Sequence, residues 1–405
     1  MEVDLSDPQT YVAGVPHDWF AHLRAHDPVH WQPAAHAAPG YWALTRYDDV
    51  VTVSRDPSVF SSFEGTALLE DMRPEGLWLM RQQLIHMDPP DHTNLRKIVN
   101  HGFTPRMIRQ LGEHVAEITA AIVDAVAPKG ECDFVTEIAA ELPLQVIAEL
   151  LGVPHEDRWK LFDWSNRLIG LEDPEYGGGE VDAGAALMEM FMYAAELAQD
   201  RRSSPRDDIV SVLVHAEVEG AKLTDTEFNM FFFLLVIAGN ETTRNLLSGG
   251  MLALCEHPDQ RARLATESQR AELLPKAVEE MLRWVTPVMY FRRTALRDTV
   301  VGGQEVKAGE RVVMYYGSAN RDEAVFGPTA SAFDVGREPN NHVAFGFGTH
   351  FCLGASLARL EIRTAFEEVL RRMPDLEVAG PVERLRSNLI NGIKHLPVRF
   401  TPTNA

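Results

Sequence analysis

The sequence predicts a mainly α-helical protein with small β-sheets at its edge. Apolar residues recur at helical spacing over most of the chain, whereas the strand-like runs are short. No linker, low-complexity tract or internal repeat divides the 405 residues. A composition of 45% hydrophobic and 24% charged residues is typical of globular proteins. We therefore expect a single domain over residues 1–405, with a large core.

The individual elements follow from the spacing of apolar residues and from Gly and Pro punctuation. The predicted helices cover residues 105–128, 137–151, 156–171, 181–202, 224–256, 259–268, 271–285 and 354–372. The predicted strands are Tyr41–Thr45, Val50–Ser54, Thr299–Val301, Arg311–Tyr315 and the tail from Leu389 to Phe400.

The helix predicted over 224–256 is the most informative element. Thr224 is suited to cap it, Glu227 completes a capping box, and Pro258 follows its end. At about 1.5 Å per residue it would be a rod about 50 Å long. Its first half is apolar on all faces, which predicts burial, but the pattern changes abruptly to a polar cluster over 240–244. Polar groups in a buried helix are costly unless they are paired or serve chemistry.

Charge and cysteine content exclude several classes of protein. The formal net charge of −21 argues against nucleic acid and against anionic membrane surfaces as partners. Three cysteines form no disulfide framework, which favours a reducing cytoplasm. The N-terminus has no signal-peptide pattern, and the longest apolar run, Met230 to Gly239, is shorter than the ~20 residues of a membrane span. We expect a cytoplasmic protein without a membrane anchor.

A glycine-rich loop before the last long helix carries the strongest chemical signal. Residues 345–354 read Phe-Gly-Phe-Gly-Thr-His-Phe-Cys-Leu-Gly. Gly346 and Gly348 permit backbone conformations closed to other residues and a close approach to a flat cofactor. Cys352 precedes a helix, whose N-terminal dipole and free N–H groups favour thiolate over thiol. A thiolate is a strong donor to haem iron. Cys132 and Cys255 lack this context, and we interpret them as ordinary thiols.

This loop resembles the haem-binding loop of the cytochrome P-450 family, and the rest of the chain agrees with that family from end to end. The length and layout are similar to those of the soluble bacterial members. The resemblance implies haem b, held between the long central helix and the cysteine-bearing helix, with the axial thiolate supplied by Cys352. It also implies that Phe345, Gly346 and Gly354 belong to the cofactor site.

The segment Ala238-Gly239-Asn240-Glu241-Thr242-Thr243 resembles the acid–alcohol motif of the same family. The resemblance implies that Ala238 and Gly239 leave room for dioxygen. It also implies that Thr242 hydrogen-bonds the distal oxygen and that Glu241 relays protons from solvent. A hydroxyl next to a carboxylate suits proton delivery. The alternative is that both are ordinary helix residues, with Thr242 hydrogen-bonded to the preceding turn.

Haem carries two propionates, and the resemblance assigns four groups to them: His92, Arg96, Arg293 and His350. His92 and Arg96 are four residues apart, on one face of a helix. Because Arg292 adjoins Arg293, the strand register is open, and we prefer Arg293. The alternative for each group is a solvated surface charge. A second set, Glu280, Arg283 and Arg337, matches a buried network of the family, to which we assign folding and haem retention.

The segments that usually line the substrate pocket in this family are apolar here, which predicts a lipophilic substrate. The lining residues that we select are Leu79, Val236, Val288, Met289 and Ile390. The segments His86–His92 and Asn391–Pro397 resemble the actinobacterial branch that acts on sterol side chains and branched fatty lipids. Terpenoid and aromatic substrates stay open as alternatives.

The sequence also suggests how electrons arrive. It has no flavin or nicotinamide motif, so we expect a separate ferredoxin with its ferredoxin reductase. Positive side chains on the cysteine side would receive it. They are Arg96, Lys97, Arg106, Arg109 and Arg359. The predicted function is a haem-thiolate monooxygenase that uses O2 to hydroxylate a lipophilic molecule. Two alternatives remain, a peroxygenase of the same fold and a haem sensor or carrier without turnover.

Overall fold

Helices dominate the computed structural model, which describes residues 3–36, 38–103, 105–170, 173–217, 220 and 222–403, without the side chains of 105, 106 and 108–110. The α-helices are α1 (His17–His26), α2 (Tyr47–Arg55), α3 (Pro74–Met80), α4 (Asp91–Val99), α5 (Pro105–Val126), α6 (Glu141–Leu151), α7 (Arg158–Ile169), α8 (Glu180–Ser203), α9 (Ile209–His215), α10 (Asp225–Glu256), α11 (Pro258–Ala262), α12 (Glu267–Val285), α13 (Tyr316–Ala319), α14 (Glu323–Phe326) and α15 (Ala355–Arg372).

The strands are short and form small sheets. They are β1 (Val29–Gln32), β2 (Tyr41–Leu44), β3 (Phe60–Ser61), β4 (Glu131–Asp133), β5 (Tyr290–Ala295), β6 (Thr299–Val301), β7 (Gln304–Val306), β8 (Arg311–Tyr315), β9 (Glu377–Val378), β10 (Glu383–Arg384), β11 (Ile393–His395) and β12 (Pro397–Arg399). The largest sheet has the order β1-β2-β8-β5-β3, in which β2 and β8 are parallel. The smaller sheets are β4-β12-β9, β10-β11 and β6-β7. The mainly helical fold class is thus confirmed.

Helix α10 lies at the centre of the main hydrophobic core and contacts α6, α7, α8, α12 and α15. Its start confirms the predicted capping box. The Thr224 hydroxyl accepts a hydrogen bond from the Glu227 N–H, and the Glu227 carboxylate accepts one from the Thr224 N–H at 2.8 Å. In the part of the chain that the structure describes, no helix is long and apolar enough to cross a membrane.

Two local predictions are wrong. Residues Val50–Ser54 are helical, within α2, and not a strand. A β-branched run with buried residues at positions 50, 51, 53 and 54 fits one helix face as well as a strand, and packing against the sheet decides. The helix predicted over 259–268 ends at Ala262, because Thr266 forms a capping box with Gln269 and starts α12 there.

Candidate active site

The loop before α15 is held in a tight fold by two left-handed glycines. Gly346 has φ +70° and Gly348 has φ +68°, a region that other residues rarely adopt. A Cβ atom on Gly348 would lie 2.6 Å from the carbonyl oxygen of Ser54 in α2. The folded loop lets the Cys352 N–H donate to the Phe345 carbonyl at 2.9 Å. Glycine is therefore needed to present Cys352 at this position.

The Cys352 thiol lies three residues before α15 and is only partly covered by protein. Burial raises its pKa, while the Gly354 N–H and the charges of Arg96 and Arg359 lower it. The other two cysteines have different surroundings. Cys132 is buried, which raises its pKa to about 12, and the Cys255 thiol donates to the Leu376 carbonyl at 3.7 Å. Cys352 is the one of the three that lies in the glycine-rich loop before α15.

A cluster of histidines and arginines lies close to this loop. His92 of α4 and His350 of the loop have ring centroids 4.5 Å apart, and His350 Nε2 lies 3.1 Å from the Ser62 hydroxyl. His92 Nε2 is buried without a hydrogen-bond partner. Burial lowers the pKa of His350 well below its usual range, and neighbouring Arg293 lowers it further. Arg96, four residues after His92, is half-buried.

The two arginines of β5 have different surroundings. The Arg292 Nη1 donates to Asp71 Oδ1 at 2.9 Å and to the Leu69 carbonyl at 2.9 Å. Arg293 is 4% exposed, and its Nη1 donates to the Arg292 carbonyl at 2.7 Å. Within the described residues Arg293 forms no ion pair. Arg293 is the one of the two that acts on the histidine cluster, which agrees with the preferred register.

The middle of α10 opens onto a space inside the protein. Ala238 is exposed although it lies deep within a 32-residue helix, and Ile237 and Thr242 are half-buried. The Thr242 hydroxyl donates to the Ala238 carbonyl at 2.6 Å, so these residues share a face. Gly239 faces elsewhere. A Cβ atom there would lie 3.1 Å from Ile147 of α6, so its small size serves helix packing and does not make room beside Ala238.

Glu241 forms a buried ion pair with Arg244. Its Oε2 accepts a hydrogen bond from Arg244 Nη2 at 2.5 Å, and Arg244 Nη1 donates to Asn166 Oδ1 of α7 at 3.0 Å. Burial raises the pKa of Glu241, which the charge of Arg244 opposes. Sequence reasoning missed Arg244 and Asn166 as functional residues. The i, i+3 spacing of Glu241 and Arg244 was the available signal, whereas nothing local marks Asn166.

The proposed substrate-lining residues divide into two groups. Val288 and Ile390 form an isolated antiparallel β-bridge, which brings these two predicted residues together, and Leu79 is half-buried on α3. Val236 and Met289 have exposures of 0% and 3%, and their side chains belong to hydrophobic cores. Leu234 and Ile237, which are close to Val236 on α10, are half-buried and so more exposed than Val236.

The cationic surface predicted for an electron donor is partly neutralised. Arg359 donates to both carboxylate oxygens of Glu279, at 2.7 and 2.8 Å, and its guanidinium lies 4.6 Å from the centre of the Phe345 ring. The side chains of Arg106 and Arg109 lie outside the described residues. This surface stays a prediction.

The second charged set is fully buried. Arg283 donates to both oxygens of Glu280, at 2.7 and 2.8 Å, and Arg337 Nε donates to Glu280 Oε2 at 3.0 Å. Arg283 and Glu280 are both 0% exposed. The arginines also donate to backbone carbonyls, among them that of Ala332. The geometry is that of a structural network between α12 and the segment before the cysteine loop.

Comparison with known proteins identifies the class. The cytochrome P-450 family model matches residues 43–378, and the chain belongs to that family. It is therefore an enzyme, a haem-thiolate monooxygenase, with haem as cofactor, a cysteine thiolate as axial ligand, O2 as co-substrate and a redox partner as electron source.

Individual relatives show which members of the family this chain is similar to. The chain is 46% identical to a steroid C26-monooxygenase of Rhodococcus jostii, with 98% of this chain and 84% of the relative covered. It is 41% identical to a methyl-branched lipid omega-hydroxylase of Mycobacterium bovis, with coverage of 94% and 90%. A Mycobacterium marinum cytochrome P-450 solved in complex with pseudoionone is 40% identical, with a TM-score of 0.91 and 99% of each chain covered.

The described residues fit a haem. The partly exposed Cys352 thiol would hold the iron, and Arg293 and the histidines beside it lack the carboxylate partners that the two propionates would supply. Ala238 is exposed in an otherwise buried stretch of α10.

Proposed function

We propose that this enzyme hydroxylates a lipophilic molecule, namely a sterol, terpenoid or fatty lipid, in the cytoplasm. We propose further that it works as a single domain and takes its electrons from a ferredoxin and a ferredoxin reductase. The observation that carries the proposal is the opening beside Ala238 in an otherwise buried helix, near apolar Leu234 and Ile237. Apolar surroundings favour an apolar ligand at about 25 cal/mol per Å² buried. The names of the relatives, on steroids and methyl-branched lipids, support the same class.

The residues have separate roles in this proposal. Cys352 would hold the haem iron through its thiolate, and Phe345, Gly346 and Gly354 would shape the loop around it. His92, Arg96, Arg293 and His350 would hold the propionates. Bound haem supplies the activation of dioxygen and the transfer of one oxygen atom to the substrate.

Proton delivery falls to α10. The Thr242 hydroxyl, on the open face, is placed to donate a proton to a ligand there once it turns from the Ala238 carbonyl. The Glu241 carboxylate lies on the next residue but is tied to Arg244. It can carry protons between solvent and Thr242 only when that ion pair loosens. A peroxygenase would not need this pair, and its presence favours the monooxygenase over both alternatives.

The first experiment tests the ligand. Reduced enzyme under carbon monoxide should show the red-shifted Soret band of thiolate-ligated haem. Cys352→Ser should abolish that band, while the matched variants Cys132→Ser and Cys255→Ser should keep it. Retention of the band in Cys352→Ser would disprove the assignment.

The same preparations test the substrate class. Sterols, terpenoids or fatty lipids should displace the iron-bound water and shift the iron toward high spin, whereas small polar acids should not. Ile390→Asp should weaken this shift and leave the carbon monoxide band intact, because it places a charge beside Val288. A full spin shift with a small hydrophilic acid, and none with lipids, would refute the lipophilic pocket.

A further inference from the structure

A second cavity, with a volume of about 230 Å³, lies at the other end of α10. Its walls come from the segment before α1, the C-terminal ends of α10 and α12, the residue Arg321 and the tail segments around Arg384 and Ile393. Glu256, the last residue of α10, lines it and is 14 residues beyond Thr242. At the helical rise Glu256 is about 21 Å along the axis from Thr242, and Gly249, the lining residue of α10 nearest to Thr242, is about 10 Å from it, so this cavity is distinct from the active site.

Arg321 is the most deeply buried charge in this cavity, with 7% exposure. Its Nη2 donates to the Trp284 carbonyl at 3.2 Å, and its guanidinium lies 3.9 Å from the centre of the Trp284 ring. Its Nε is buried without a partner, and it forms no ion pair with any residue that the structure describes. Burial and the charges of Arg283 and Arg24 lower its pKa to about 9. A guanidinium in such a place lacks a counter-ion.

Two further groups with nitrogen donors face the same space. Arg384 of β10 lines the cavity and has no hydrogen bond or ion pair among the described residues, although Glu256 interacts with it electrostatically. His17 also lines the cavity, and its Nδ1 is buried without a partner. Burial, with the charges of Arg321, Arg24 and Arg384, lowers the pKa of His17, so its ring is neutral at pH 7.

The surrounding charges do not balance these cations. Arg24 is paired with Glu323, and Arg283 with Glu280, so neither carboxylate is available to the cavity. Among the residues that the structure describes, Glu256 is the single acidic side chain in the cavity wall. Two guanidinium groups and one imidazole thus face one carboxylate, and the cavity is electropositive.

We propose that this cavity binds a small phosphate-type oxyanion, held by Arg321 and Arg384 with His17 as a further hydrogen-bonding group. Guanidinium forks match the oxygens of phosphate in a bidentate way, and each such bond is charge-assisted. The bound anion would connect the segment before α1 to the ends of α10 and α12 and to the tail. Its effect is a more stable arrangement of these elements, and the proposal is independent of the substrate of the enzyme.

Thermal unfolding of the haem-loaded enzyme in a phosphate-free Tris buffer tests this. Inorganic phosphate is titrated against sodium chloride at constant ionic strength, and the bound phosphate is counted by equilibrium dialysis. We expect a saturable rise in Tm and one phosphate per chain. Arg384→Gln should weaken the binding by roughly tenfold or more, since it removes charged hydrogen bonds. Arg202→Gln, which removes an exposed arginine paired with Asp225, should leave the binding unchanged.

Binding of phosphate at this site can be distinguished from a general stabilising effect of phosphate. Phosphate stabilises many proteins without a site, so an unsaturated rise of equal size in wild type and Arg384→Gln would overturn the proposal, as would the absence of bound phosphate. If Arg321→Gln does not fold, Arg384→Gln still tests the proposal, because the Arg384 side chain makes no described hydrogen bond that folding would lose.

Two further ligands test the chemical class of the anion: succinate represents carboxylates, and glycerol phosphate represents phosphate esters. Succinate binding as strong as phosphate binding would overturn the phosphate assignment, and binding of glycerol phosphate as well as phosphate would support it.

Discussion

Two buried clusters of basic side chains in this enzyme differ in one respect, the presence of carboxylates. Around Glu280, the arginines Arg283 and Arg337 share one carboxylate and fill their remaining donors with backbone carbonyls. Around Arg293, His92 and His350, no carboxylate of the described chain comes within ion-pair distance of the arginine, and His92 Nε2 has no partner. The first cluster is complete when the chain folds. The second is completed only by an anionic ligand, and haem has two propionates.

The comparison explains how the fold and the cofactor depend on each other. A buried cation without a partner destabilises the protein before the cofactor binds. A ligand that supplies the missing carboxylates binds the folded state alone and stabilises it. Incomplete pairing in a buried site therefore indicates a ligand, whereas complete pairing indicates structure. The three predictions below test this rule, in order of decreasing effect.

The largest effect is expected for Arg283→Gln. It leaves the Glu280 carboxylate, which is 0% exposed, with Arg337 as its remaining cation, and it removes the arginine donor to the carbonyls of Asn320 and Ala330. Breaking a buried pair in this way costs about 3–5 kcal/mol of unfolding free energy. Urea unfolding of the haem-free and haem-loaded forms should show the same loss. The matched control is Arg371→Gln, which breaks an exposed i, i+3 pair with Glu368 and should cost less than about 0.5 kcal/mol.

A smaller and different effect is expected for Arg293→Gln. It removes a propionate partner, which costs about 1–3 kcal/mol of haem binding, so transfer of haem to an apo-globin should quicken by roughly tenfold. The haem-free form should be as stable as wild type or more stable, because an unpaired buried cation is gone. Arg292→Gln is the control. It removes one of the two arginine partners of Asp71 and the donor to the Leu69 carbonyl, so it should destabilise both forms and leave relative haem loss unchanged. The opposite pattern would show that the strand register is wrong.

Local sequence signals predicted the parts of the molecule that local interactions determine. The capping box of Thr224 and the glycine loop around Cys352 each depend on residues within a few positions of each other. The sequence could not show that Val50–Ser54 is helical, because a β-branched run fits two patterns and its contact with the sheet decides.

Contacts between segments that are distant in the chain could not be predicted from the sequence either. Gly239 packs on Ile147, and Arg244 reaches Asn166, 78 residues earlier in the chain. Which of Arg292 and Arg293 faces the histidine cluster depends on the pairing of β5 with β8 and on Asp71, which comes from a separate loop. Residue spacing predicts which side chains share a face of one helix or strand. The contacts above depend instead on how different helices and strands pack against each other.

Glu361 of α15 tests the rule from the acidic side, because it is a buried acid outside the haem cluster for which the described residues supply no partner. It is 3% exposed and its Oε2 has no hydrogen-bond partner among the described residues. Burial raises its pKa from 4.5 to about 8, so the fold keeps this acid protonated at pH 7 and needs no counter-ion. The folded state then holds a proton that the unfolded state has released, and the free energy of unfolding falls as pH rises from about 4.5 to 8.

The variant Glu361→Gln cannot hold this proton. Its stability relative to wild type should therefore improve over this range, by up to about 1.4 kcal/mol per pH unit, and level off above pH 8. Urea unfolding at pH 5, 6, 7 and 8 measures the difference, with the exposed Glu383→Gln as control, which should run parallel to wild type. A difference between Glu361→Gln and wild type that does not change with pH would mean that Glu361 is ionised in the fold and has a cationic partner, contrary to the rule.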